Sequence, residues 1–147
     1  MAYITNLDIE SWLGAETYVE LTDDAGTGAA DAAKVNEARL GAEGEADSYL
    51  ATRYRTPVDV SGHPEVAAVL RAFVLDLAAY RLHSRRPPVP DDVVRRHEEA
   101  VTWLARVASG IVQLPAAAAL SENPTLGIVG QAEGPPRIMT REELESL

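Results

Sequence analysis

Residues 64–84 constrain the fold of this chain more than any other stretch. In PEVAAVLRAFVLDLAAYRLHS, Val66, Val69, Leu70, Phe73, Val74, Leu77, Tyr80 and Arg81 recur with a 3.6-residue period. Apolar side chains cover well over half of the helix circumference, as expected of a helix surrounded by neighbours. Arg71, Asp76 and Arg81 interrupt the run, so a membrane span would be costly and a buried helix is expected instead. Gly62-His63-Pro64 opens it, with proline at or near the first helical position. Asp76 and Tyr80 lie one turn apart. An acid on such a helix needs an arginine or a tyrosine hydroxyl beside it, with the preceding helix as the nearest source.

A central helix requires others around it. Asp31 is a good N-cap for a helix over 31–54, in which Val35, Arg39, Ala42, Ala46, Tyr49, Leu50 and Arg53 keep helical spacing. Ala38, Ala42 and Ala46 allow close approach of another backbone. Gly41 and Gly44 weaken this helix by roughly 1 kcal/mol each, so it depends on packing. After Pro87, Pro88 and Pro90, a further helix begins at Asp91 or Asp92 and runs to about Ser109. Its expected inner stripe is Val94, His97, Val101, Leu104 and Val107, flanked by Trp103 as an anchor, with Gly110 as the C′ residue. Towards the N-terminus, Thr5 and Asp8 form a capping box. Leu7, Trp12 and Leu13 are the expected inner face of that short helix, and Val19 and Leu21 that of a second turn, AETYVELT. The expectation is an all-α bundle of four to five helices over 1–114, followed by an extended tail over 115–147 that orders against a partner.

That tail is rich in glycine and proline, yet it carries Leu126, Ile128, Val129, Ile138, Met139, Leu144 and Leu147. Apolar anchors in an aperiodic segment suit docking to a partner. Thr140 with Glu143 would cap one final helical turn.

Length, charge and motifs narrow the chemistry. With 147 residues, 46% of them hydrophobic, the chain suffices for one modest domain. It has no cysteine, hence no disulfide framework or thiol nucleophile. The N-terminus lacks the basic start and apolar run of a signal peptide. No nucleophile elbow, HExxH or phosphate-cradling glycine motif occurs, and His63, His83 and His97 are scattered, so an enzyme is not expected and no cofactor is implied. The net charge of −10 disfavours wrapping of nucleic acid. Residues 1–60 hold 12 acids against 4 bases, while residues 61–115 hold 6 acids and 7 bases. Arg85, Arg86, Arg95 and Arg96 form the basic cluster, read either as solvated surface or as a contact for an acidic neighbour. Such asymmetry also suits head-to-tail packing of identical subunits.

The stretch LTDDAGTGAAD, Leu21 to Asp31, has the glycine spacing of a calcium loop. Counted from Asp23, however, Ala25 and Thr27 replace acids, and Lys34 stands where a bidentate glutamate belongs. The residues fit a structural role better: Gly26 and Gly28 for a tight turn, Asp31 for a helix cap.

Taken together, Y-I-T-x-x-D at the start, L-T-D-x-x-G-x-G-x-x-D, A-D-S-Y-L-A-x-R-Y-x-x-P over Ala46–Pro57, A-x-Y-R-L ending at Leu82 and the proline linker Arg86–Pro90 resemble one family. It is the family of small virion proteins of Mu-like phages and prophages, and the resemblance covers about residues 1–114. Members often carry a fuller acidic loop, from which this chain departs at Ala25 and Thr27. The family is similar to the head–tail connector adaptors of long-tailed phages. The resemblance implies a ring, usually of twelve copies, beneath the portal in the virion neck, after assembly in the host cytoplasm. The implied partners are the portal protein, identical neighbouring subunits, a stopper or tail terminator, and duplex DNA that slides past without specific binding; no membrane is involved. On this view Tyr49, Arg53, Tyr54, Asp76, Tyr80 and Trp103 serve the core or subunit contacts. The four clustered arginines and the apolar tail residues serve docking. A tail terminator or completion protein, a scaffold-like assembly aid and a cytoplasmic prophage regulator are the alternatives.

Overall fold

The computed structural model describes residues 2–115. Five helices follow in order: α1 (Asn6–Leu13), α2 (Ala15–Thr22), α3 (Ala32–Leu50), α4 (Pro64–His83) and α5 (Asp91–Ala108). Among the described residues there is no strand, so the fold is all-α. Helix α4 touches all four other helices and is the axis around which they pack. Leu70, Val74, Leu77, Ala78 and Leu82 of α4 are closed to solvent, as the breadth of its apolar surface requires. None of the described helices is long and apolar enough to cross a membrane.

The caps form where local chemistry dictates. The Thr5 side chain accepts the Asp8 N–H while the Asp8 carboxylate accepts the Thr5 N–H, a reciprocal capping box. Asp31 accepts the Ala33 N–H at the start of α3. Pro64 opens α4, and Gly110, at φ 81°, follows α5 in the left-handed region. Helix α3 is shorter than its spacing suggests: it ends at Leu50, and Arg53 and Tyr54 belong to the turn beyond. Val35, Ala38, Ala42, Ala46 and Leu50 form its buried stripe, with the three alanines admitting close neighbours.

Inner faces were harder to read. In α1 the buried residue is Ile9, with Leu13 packed against the core; Leu7 and Trp12 remain 68% and 43% exposed. A residue two positions from Ile9 lies on the opposite side of a helix, which turns Leu7 outward. In α2, Tyr18 and Thr22 join Leu21 inside, while Val19 is half-buried. Val69 of α4 is exposed. The stripe of α5 is Val93, Ala100, Leu104 and Val107; Val94, His97 and Val101 border it. Trp103 is half-buried and stacks on Phe73 of α4, with ring centroids 4.8 Å apart.

The N-terminal segment is tied to the middle of α3. Glu43, only 9% exposed, accepts the Tyr3 N–H at 2.9 Å and the Ile4 N–H at 3.2 Å. The Tyr3 hydroxyl donates to Asp47 at 2.5 Å and accepts the Val58 N–H at 2.8 Å. In the turn beyond α3, the Tyr54 hydroxyl accepts the Leu114 N–H at 2.9 Å and holds the chain after α5. The terminal turn expected at Thr140 and Glu143, and the tail anchors from Leu126 to Leu147, lie outside the described residues.

Candidate functional site

The acidic glycine loop becomes a clasp between α2, α3 and the end of α4. Asp23 turns its carboxylate back on the loop and accepts the Thr27 N–H at 2.9 Å and the Gly28 N–H at 2.6 Å. Those backbone hydrogen bonds, to Thr27 first, hold its carboxyl below the usual range. Gly26 and Gly28 adopt φ of 69° and 77°, which side-chain-bearing residues rarely do. Inside the loop, the buried Thr22 hydroxyl donates to the Tyr18 carbonyl at 2.8 Å and accepts the Asp31 N–H at 3.3 Å.

Asp24 points the other way and collects cations. It pairs with Lys34 of α3, with Arg85 at 2.6 Å and with Arg86 at 3.2 Å. Arg85 also donates to the Leu21 carbonyl at 2.5 Å, and Arg86 to the Asp23 carbonyl at 3.0 Å. The Lys34 ammonium, with both guanidinium groups beside it, lowers the Asp24 carboxyl to about 2. Lys34, which stands where a calcium loop needs an acid, is therefore an integral partner of the loop. Among the described residues, no group of three or more histidine, aspartate or glutamate side chains is placed to hold a metal ion.

Beside this clasp, α3, α4 and α5 enclose an open cavity of about 540 Å³. One wall is a stack of Tyr80 on His97, with centroids 3.9 Å apart and planes 22° apart. Glu45 accepts from Arg81 at 2.8 Å and lies 3.9 Å from the His97 ring. Lys34 and Arg85 form the rim. The cations around this space already have acids beside them, so its chemistry is that of a neutralised, mixed surface rather than an anion trap.

Asp76 has an arginine beside it, as expected, but that arginine comes from α5 rather than from the preceding helix. Its partners are not on α3, nor is the Tyr80 hydroxyl among them. Arg96 of α5 stands 4.0 Å away, and Trp12 of α1 lies near enough to act on the carboxylate. Oδ1 is buried with no hydrogen-bond partner among the described residues. Burial therefore raises the Asp76 carboxyl, against the opposing pull of Arg96 and Trp12. Asp76 lies where α1 and α5 meet α4, so its neighbours come from those helices, while α3 gives its acid Glu45 to Arg81.

The other sequence candidates separate into distinct places. Tyr49 is half-buried against the core, Tyr54 is buried and Arg53 is exposed. Arg95 pairs with Glu99 at 3.0 Å, and Arg96 with Asp92 at 2.6 Å. Arg85, Arg86, Arg95 and Arg96 thus each have an acid of the same chain beside them, and they form no single patch. The sequence reading overlooked the Tyr3, Glu43, Asp47 network, although an acid on the inner face of an alanine stripe signals a buried partner.

The Bacteriophage Mu, Gp36 family model matches residues 3–129, past the end of α5 and into the tail. No curated protein matches the chain.

Proposed function

The chain belongs to the Bacteriophage Mu Gp36 family, and from that premise we propose that it is a structural virion protein, a head–tail connector adaptor. In this reading copies form a ring beneath the portal, continue the DNA channel and present the surface on which the stopper or tail docks. The observation that carries it is the family match over residues 3–129, which takes in the whole helical body together with Leu126, Ile128 and Val129.

The physical character of the body supports an assembly role. Its ionic groups are arranged as clasps between helices, and the cavity beside the loop is open, with a lining of mixed polar and apolar character, unlike the enclosed apolar pocket of an ordinary small-molecule site. The net charge of −10 suits a lumen wall that repels DNA rather than retaining it.

Cryo-electron microscopy of the intact neck tests this. Density for the chain between the portal and the next neck protein is the expected result. Density only on the tail side would replace the adaptor with a tail terminator or completion role. Absence from the virion, joined to selective duplex-DNA binding at physiological salt, would replace it with a regulator.

A further inference from the structure

Ion pairing in the fold singles out three arginines. Among the described residues, eight of the eleven lysines and arginines have an acid within 4 Å; Arg53, Arg55 and Arg106 have no described acid that close. All three are exposed, and they share one end of the body. A Cβ at Gly110 would fall 2.5 Å from Arg53 Nη1, so the guanidinium lies over the turn that follows α5. The Arg106 carbonyl accepts the Val112 N–H in the same turn, and Tyr54 holds Leu114 there. Ile111, 77% exposed, stands among them.

The α1–α2 surface carries the opposite sign. Residues 1–33 contain seven acids and no base. Glu10, Glu16 and Glu20 have no ion pair with any described residue. The two helices meet at Gly14. The Tyr18 hydroxyl is raised by burial and then by the charge of Glu10. Glu16 and Glu20 share one face of α2 by their spacing. Leu7, 68% exposed, lies one turn before the half-buried Glu10 on α1. The two most exposed large apolar side chains of the described body thus stand one on each charged surface.

We propose that these are the two halves of one contact: the Arg53, Arg55, Arg106 end of one copy docks on the α1–α2 surface of a second copy. Charge complementarity names the occupant. An apolar residue within charges, facing an apolar residue within opposite charges, is the anatomy of a specific interface. The acidic surface reaches the C-terminal end of α4, where Glu20 lies close enough to act on His83; the arginines gather at the other end. Opposed patches on one molecule make a heterologous contact, which repeats from copy to copy and closes into a ring when the rotation allows. The contact deepens the ring reading and rests on it only for closure.

Sedimentation velocity of the full chain tests this at low and high salt, up to the highest soluble concentration. Association at low salt that weakens at high salt is expected. The triple variants R53E/R55E/R106E and E10R/E16R/E20R should each lose it, and an equimolar mixture of the two should regain it, because each retains the half that the other lacks. The single variants R55E and E16R, at exposed positions, give the same comparison if a triple variant fails to fold. A wild-type chain that stays monomeric at both salts, as it would if its own residues 116–147 covered the arginines, overturns the proposal. So does association that survives in both variants. Failure here, with the chain seen beneath the portal, would remove this contact and leave the neck role. Absence from the neck would leave the association measurement unaffected.

Discussion

Glu43 gathers the Tyr3 and Ile4 N–H groups and Arg39 in a place nearly closed to solvent, whereas Asp24 gathers Lys34, Arg85 and Arg86 in contact with it. Asp24 has more cations around it, yet Glu43 matters more to stability. In water an ion pair exchanges good solvation for modest attraction. A buried donor that loses its acceptor recovers nothing from solvent. The comparison separates contacts that hold the body together from contacts that aim a loop.

Removing Glu43 is the strongest way to break the comparison. Glu43→Ala strands two backbone donors and Arg39, and a loss of about 3 kcal/mol is expected in urea unfolding. A loss no larger than that of Asp24→Ala would invert the ranking. Tyr3→Phe keeps the ring but strands the Val58 N–H, for an expected loss of about 1–2 kcal/mol. Asp31→Ala removes the cap of α3 and should cost about 1 kcal/mol by thermal unfolding. Asp24→Asn should have the smallest effect, and that effect should vanish in high salt.

Titration sharpens the same contrast, because the two clusters fail at opposite ends of the pH scale. Burial, with Asp47 beside it, raises the Tyr3 hydroxyl well above its ordinary 10.0. A raised value means a contribution complete below pH 10 and lost as pH climbs beyond it. Asp24 is lowered from 3.8 to about 2, so its contribution is complete above pH 4 and is lost as pH falls towards 2. Stability profiles of Tyr3→Phe and Asp24→Asn against wild type should therefore part in alkali for the first and in acid for the second.

Much of the fold was legible. Thr5, Asp31, Pro64 and Gly110 start or follow helices by contacts within a few residues of themselves, and all four serve as read. Long periodic segments were also readable, since twenty residues of α4 average over any single exception such as Val69. Helices α1 and α2, of eight residues each, were not. Two turns supply too few apolar positions to fix a face, and Ile9 and Leu7 compete for it on nearly equal terms.

The candidate sites were less legible, for a different reason. Arg85 and Arg86 looked available because nothing adjacent in sequence neutralises them; their acid, Asp24, is more than sixty residues away. Arg53, by contrast, looked like a member of a helical stripe, yet it lies in the turn after α3 and has no acid beside it among the described residues.

The sequence by itself determined the helices, their caps and the acidic bias of the first sixty residues, because hydrogen bonding near the chain and side-chain periodicity are local. Only the tertiary structure decided which charges are paired inside the body and which have no partner among the described residues. Coulomb attraction and burial act between groups that are close in space, and the chain brings Asp24 to Arg85, and Glu43 to Tyr3, only when the helices have packed.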